Sequence, residues 1–261
     1  MKKFFAVPMA VILVAACSDS TAPARSDLNP SYVKPTEPVA VCSSCPIVGD
    51  FDFDNGTTIS AAGGSTVGTD IQPGISSTAD GANIVTSPSQ EDFLGRFVNT
   101  RTMVVINVPS GSANYNLAFD LYVIGSWDGR GKQAQQGSFL ANVIDVGYRC
   151  TAGGPVTSIF KTTFSNQYTV QQDYPNSYLT GGFKAGTGSS AIDALGYAGH
   201  PELSNTPQFR SFGDATYALS FSGANPCGTA AVQFTISTSN PTQQSVIDES
   251  WGVDNILVRA Q

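Results

Sequence analysis

In the stretch GDFDFDNG, Asp50, Asp52 and Asp54 occupy every second position and Phe51 and Phe53 lie between them. On an extended strand, successive side chains point to opposite faces. The two rings then go one way and the three carboxylates the other. Like charges on one face repel unless water, a cation or basic side chains offset them. The spacing is not that of an EF-hand loop, because Asn55 stands where that loop needs glycine. Trp127 and Asp128, in SWDGRGKQ, form an aromatic–acid pair that could stack on and hydrogen-bond a sugar ring. The alternative is that Trp127 covers one end of the core while DGRG turns the chain. Asp120, Asp128, Asp145 and Glu249 are available for a two-carboxylate glycosidase, which needs a separation of about 5–10 Å. The close-set E-x-D-x-x-E pattern of sandwich-fold glucanases is missing. His200 is the single histidine, so one chain cannot build a two-His zinc site. Glu202 follows it in GYAGHPELSN, but no serine has a nucleophile's context, and His200 reads as a loop residue. No G-x-S-x-G elbow or G-x-x-x-x-G-K-[ST] loop occurs.

The elements that must position these residues read as strands. NYNLAFDLYVIGSW alternates Tyr115, Leu117, Phe119, Leu121 and Val123 against the intervening positions. TMVVINVP, FLANVIDVGYRC, SIFKTTFS, ATYALSFSG and AAVQFTIST are similar β-branched or aromatic runs, punctuated by Gly, Pro, Asn and Ser. SQEDFLGRF could make one helical turn, and no longer helical pattern is evident. YTVQQDYPNSY is aromatic-rich, with Tyr168, Tyr174 and Tyr178. Many short strands with turn signals predict an antiparallel β-sandwich. Charged residues are only 13% and the net charge is −7, so no basic patch exists to neutralise phosphates and nucleic acid is excluded as a partner.

The N-terminus sets the compartment. MKKFFAVPMAVILVAAC has a basic start, an apolar run too short to span a bilayer, and small residues before Cys17. VAAC resembles the lipobox of bacterial lipoproteins. The resemblance implies removal of residues 1–16 and lipidation of Cys17. Ser18, rather than Asp, follows Cys17, which by the same resemblance implies the outer membrane or cell surface. Residues 17–47 are rich in Ser, Thr and Pro and read as an extended tether. Residues 48–261 then form one large domain.

With Cys17 set aside, four cysteines allow three connectivities. The pairing expected is Cys42–Cys45 and Cys150–Cys227, because the first pair is local and outside the domain. CSSC is not a haem motif, since Pro46 stands where a histidine is required, and it lacks the βαβ setting of a thioredoxin motif.

The domain opens with FDFDNGT and closes with DESWGVDNILVR, with FLGRF and FDLYVIGSWDG between. These stretches resemble the jelly-roll sandwiches of MAM-type and other concanavalin-like domains and of carbohydrate-binding modules. The matches are Phe53, Asp54 and Gly56 at the start and Asp254, Asn255 and Ile256 at the end. The resemblance implies a non-catalytic recognition or adhesion module for a glycan or protein at the envelope. Alternatives are a sandwich-fold glycan hydrolase and a structural envelope lipoprotein without a ligand. It also implies that first and last strands lie close together, and that a structural calcium joins Asp52 or Asp54 to Asp254. The alternative is that these acids are solvated, or that Asp254 caps a turn.

Overall fold

The structure is a computed structural model that describes residues 44–54, 64–71, 84–98, 102–130, 141–199, 211–239 and 245–261. The signal segment, Cys17, Cys42, His200 and all but the last residues of the tether lie outside the described residues. The described chain is an all-β antiparallel jelly-roll sandwich, with no helix among the described residues. Its strands are β1 (Ile47–Phe51), β2 (Thr66–Ile71), β3 (Ile84–Thr86), β4 (Asp92–Phe97), β5 (Thr102–Val108), β6 (Asn114–Gly125), β7 (Val143–Arg149), β8 (Thr157–Thr163), β9 (Ala191–Ile192), β10 (Asp214–Ala224), β11 (Val232–Ser239) and β12 (Glu249–Ala260). One sheet runs β3-β4-β12-β6-β10-β9, with β1 also paired to β12; the other runs β2-β5-β11-β7-β8.

Alternation builds the core. Leu117, Phe119, Leu121 and Val123 of β6 face inward and sit beside Ala215, Tyr217 and Leu219 of β10, with Leu121 opposite Tyr217. Val104 and Ile106 of β5, Ile144 and Val146 of β7, and Phe234 and Ile236 of β11 meet them from the second sheet. Phe51 and Phe53 are buried in this core, while Asp50, Asp52 and Asp54 are exposed, as the alternation of GDFDFDNG requires. First and last strands pair directly, Phe51 opposite Ile256.

Cys150, just past β7, is bonded to Cys227 in the β10–β11 turn, with Cα atoms 5.5 Å apart. Cys45 is disulfide-bonded as well, but the expected pairing with Cys42 lies outside the described residues. SQEDFLGRF is not helical: its first residues form a turn and the rest is β4. The turn is closed by Ser87 N–H donating to Glu91 O at 2.7 Å, and Gln90 adopts φ 74°. YTVQQDYPNSY is a folded loop rather than a strand. The buried carboxylate of Asp173 accepts Leu179 N–H at 3.1 Å and Gly181 N–H at 2.9 Å and pairs with Arg130 Nε at 3.2 Å.

Candidate functional site

In β12 the apolar inward positions run Trp251, Val253, then Ile256, Val258 and Ala260. One residue too many lies between Val253 and Ile256. The strand absorbs it as a bulge between Asp254 and Leu257, with Asn255 at φ 50°. At the same place β12 changes neighbours along one edge. It pairs with β4 over Trp251–Val253 and with β1 over Ile256–Arg259. Asp52 and Asp54 leave the end of β1 here, and Glu91 enters β4 here. Asp120 and Tyr122 approach from β6 on the other edge, Asp120 directly opposite Asp254. The topology therefore gathers acids from four segments at one seam.

Local packing fixes the seam. A Cβ on Gly252 would lie 2.4 Å from Cδ2 of Phe93, so the glycine leaves the room that this ring occupies. Phe93 meets Tyr122 edge-on at 5.1 Å, and both pack with Ile124 and Leu195 on the outer face of the sheet. Tyr122 Oη donates to Asp254 Oδ2 at 3.1 Å. Asn255 Nδ2 donates to Asp120 Oδ2 at 2.9 Å. Asp54 N–H donates to Asp52 Oδ1 at 3.0 Å, an Asx turn that holds the start of the loop after β1. Glu91 N–H donates to Ser87 Oγ at 2.9 Å.

Electrostatics raise two of the carboxyls at the seam. Asp254 is only 1% exposed, and its Oδ1 has no hydrogen-bond partner among the described residues. Burial pushes its carboxyl up to about 6, and Glu91 and Asp52 push the same way, against the Asn255 amide and the Tyr122 hydroxyl. Glu91 is also raised, first by burial and then by Asp54, with Asp52 and Asp120 pushing the same way. The Tyr122 hydroxyl is raised by burial and by the Asp254 charge. Among the described residues no three acids converge on one point that would hold a metal ion. A cation here would therefore draw on one or two carboxylates together with backbone carbonyls and water, a set that calcium accepts. The orphaned Oδ1 of Asp254 is the atom that fits such a ligand.

The other expected residues are dispersed. Trp127 is 2% exposed and part of the core, and its Nε1 donates to Ser250 O at 2.9 Å. Its ring has no free face for a sugar; it covers the end of the core. Asp128 accepts a short hydrogen bond from Gln167 Nε2. Asp145 accepts from Ser158 Oγ at 2.7 Å, and Glu249, nearly buried, accepts from Asn142 Nδ2 at 2.6 Å. Sequence reasoning missed Glu91 and Tyr122 at the seam. The extra residue between Val253 and Ile256 was the available signal for the bulge.

No family model matches this chain, and no curated protein matches it. Three solved structures are similar to it at low identity and low TM-score. The K3 cleaved adhesin domain of Lys-gingipain from Porphyromonas gingivalis w83 is 12% identical over 82% of this chain and 99% of its own, with a TM-score of 0.36. CBM35 from Cellvibrio japonicus Abf62 is 10% identical over 74% of this chain and 91% of its own, with a TM-score of 0.25. The enzymatically active domain of bacteriophage CBA120 tailspike protein 4 is 7% identical over 80% of this chain and 20% of its own, with a TM-score of 0.26.

Proposed function

We propose that this chain is a non-catalytic recognition or adhesion module that binds a glycan or protein at the cell envelope. Lipid on Cys17 holds it at the outer membrane or cell surface. The observation that carries the non-catalytic reading is the state of its carboxylates. Asp120, Asp128, Asp145 and Glu249 each accept from a side-chain amide or hydroxyl. A glycosidase pair needs one carboxyl poised to give a proton and another open to the sugar or a water. Calcium at the seam, between Asp52 or Asp54 and Asp254, has a structural role in this reading. It offsets the mutual repulsion of the acids and ties β1 to β12.

Two measurements test the reading. The full chain is screened on a glycan array and against a polysaccharide panel for turnover. Binding without turnover is expected. Turnover lost on replacing one of Asp120, Asp128, Asp145 or Glu249 would replace this reading with a hydrolase. Labelling of cells with a palmitate analogue should mark the protein, and Cys17→Ala should abolish the label.

A further inference from the structure

β10 stands at one flank of the larger sheet. It pairs with β6 without a break from Asp214 to Ala224. On its other side β9 covers only Ala215 and Thr216. Along a strand, the backbone N–H and C=O groups of successive residues point to alternate sides. Asp214 O accepts from Asp193 N–H at 2.9 Å and Thr216 O from Ser190 N–H at 2.8 Å, so the even positions face away from β6. Beyond Thr216, the even positions Ala218, Ser220, Ser222 and Ala224 have no backbone partner on that side among the described residues. Ala218, Ser220 and Ala224 are exposed. The neighbouring edge of the other sheet is closed. Thr163 O and Lys161 O of β8 accept from Tyr174 N–H at 3.1 Å and Tyr178 N–H at 2.6 Å.

An open edge is a template for a further strand, and proteins blunt such edges with charges, prolines, bulges or a covering loop. From Ala218 to Ala224 β10 has none of these. The segment ALSFSGA carries no charge and no proline, and its register with β6 has no bulge. The outward side chains are small, and the Ser220 hydroxyl accepts from Asn116 Nδ2 at 3.3 Å. The inward side is apolar. Leu219 is buried, whereas Phe221 is half-buried. Phe221 stacks on Phe119 at 6.2 Å and meets Phe160 of β8, itself half-buried, at 5.8 Å. The flank of the sandwich thus ends in rings that the chain covers only in part.

We propose that two copies of this chain meet at this edge, β10 pairing antiparallel with β10 of the second copy. A two-fold axis at Phe221 sets Ser220 opposite the second copy's Ser222, and Ala218 opposite its Ala224. Each such pair exchanges two backbone hydrogen bonds. Those four positions are the open ones, so the free stretch is its own complement. On the inward side Phe221 meets the second copy's Phe221 as a non-hydrogen-bonded pair, with Cβ atoms within about 5.5 Å. Leu219 faces the second copy's Gly223, where an added Cβ would meet its nearest neighbour, the Tyr115 ring, at 3.8 Å. The chain's own tether is a poorer occupant, because Pro23, Pro30, Pro35 and Pro38 lack the N–H that a ladder needs. The pairing sets two modules side by side whatever each of them binds.

The full chain is purified from cells in detergent, and its mass is followed by analytical ultracentrifugation over a concentration series. Wild type is expected to dimerise. Ser220→Pro removes an N–H that β6 does not use, so the monomer keeps its ladder. The two-fold removes that bond twice, and dimerisation should weaken about tenfold or more. A second set of variants stands even if the proline is not accommodated. Ser220→Lys combined with Ser222→Lys places like charges opposite each other, as does Ser220→Glu combined with Ser222→Glu. Each double variant alone should dissociate at concentrations where wild type is dimeric, and an equal mixture should recover a dimer containing one of each. A monomeric wild type overturns the proposal. A dimer as strong as wild type in the proline variant, or in both charge variants, overturns the edge. Charge variants that dissociate and do not recombine overturn the register.

Discussion

Replacing Asp254 by Asn tests the seam most directly, because the two side chains have the same shape and differ in charge. The carboxyl of Asp254 is raised from an ordinary 3.8 to about 6, by burial before anything else. Such a rise corresponds to about 3 kcal/mol at neutral pH, at about 1.36 kcal/mol for each pH unit. Between about pH 4 and 6 the folded chain holds a proton there that the unfolded chain has released. This contribution is therefore fully present in acid and is lost as pH rises through about 6. Above that, wild type without calcium carries a buried charge facing Glu91, Asp52, Asp54 and Asp120. Asp254→Asn removes it while keeping an acceptor for the Tyr122 hydroxyl. In chelator at pH 7 the variant should melt higher, by at most roughly 6–12 °C at this chain length. Glu91 and Asp214 are also raised, mainly by burial. They shape both curves, so the difference between wild type and variant isolates Asp254. The assay is thermal unfolding from pH 4 to 8 with chelator and with calcium. Calcium should raise the wild-type midpoint, by about 2.7 kcal/mol at a hundredfold excess over Kd, and leave the variant unmoved. Parallel pH profiles in chelator would refute the electrostatic argument. A wild-type midpoint indifferent to calcium would refute the cation.

Phe53→Ala empties a fully buried site and should cost about 3–5 kcal/mol in urea unfolding; an unchanged midpoint would show that the GDFDFDNG alternation is misassigned. Replacing Cys150 and Cys227 together by Ala should cost about 2–4 kcal/mol, since the bridge closes a loop with a sequence separation of 77, and non-reducing peptide mapping of the wild type should recover the two cysteines joined. Trp127→Phe leaves Ser250 O without its indole donor, which should lower stability by about 1–3 kcal/mol while ligand affinity on a glycan array stays the same.

Much of the fold was legible because it is periodic. The alternation of Leu117, Phe119, Leu121 and Val123 places one face of β6 in the core, and similar runs give β5, β7, β8, β10 and β11. The shortest strands carry no such signal. β3 and β9 are too brief to show a period, and β2 contains Gly68 and Asp70, which read as turn residues. FLGRF was ambiguous for the same reason, and pairing of β4 with β12 settles it as a strand. Trp127 illustrates the opposite limit. Polar neighbours and the DGRG turn look like a surface, but the indole bonds the backbone of Ser250 on β12, the strand paired with β6, a contact of long sequence separation that local composition does not reveal.

The seam follows from a departure from the regular sandwich. At the seam, a bulge is the way β12 passes from one neighbour to another while keeping Trp251, Val253, Ile256 and Val258 inside. The regular register ahead of the bulge puts Asp254 opposite Asp120, and the change of neighbour at the bulge leaves it beside the ends of β1 and β4. The acids are thus brought together by backbone topology rather than by attraction, and the raised carboxyls of Asp254 and Glu91 are the cost. The seam holds a polar atom that the core does not satisfy, Oδ1 of Asp254. Buried polar groups are costly unless paired, and an acceptor held among acids is the kind of atom that a cation, or a proton, would satisfy.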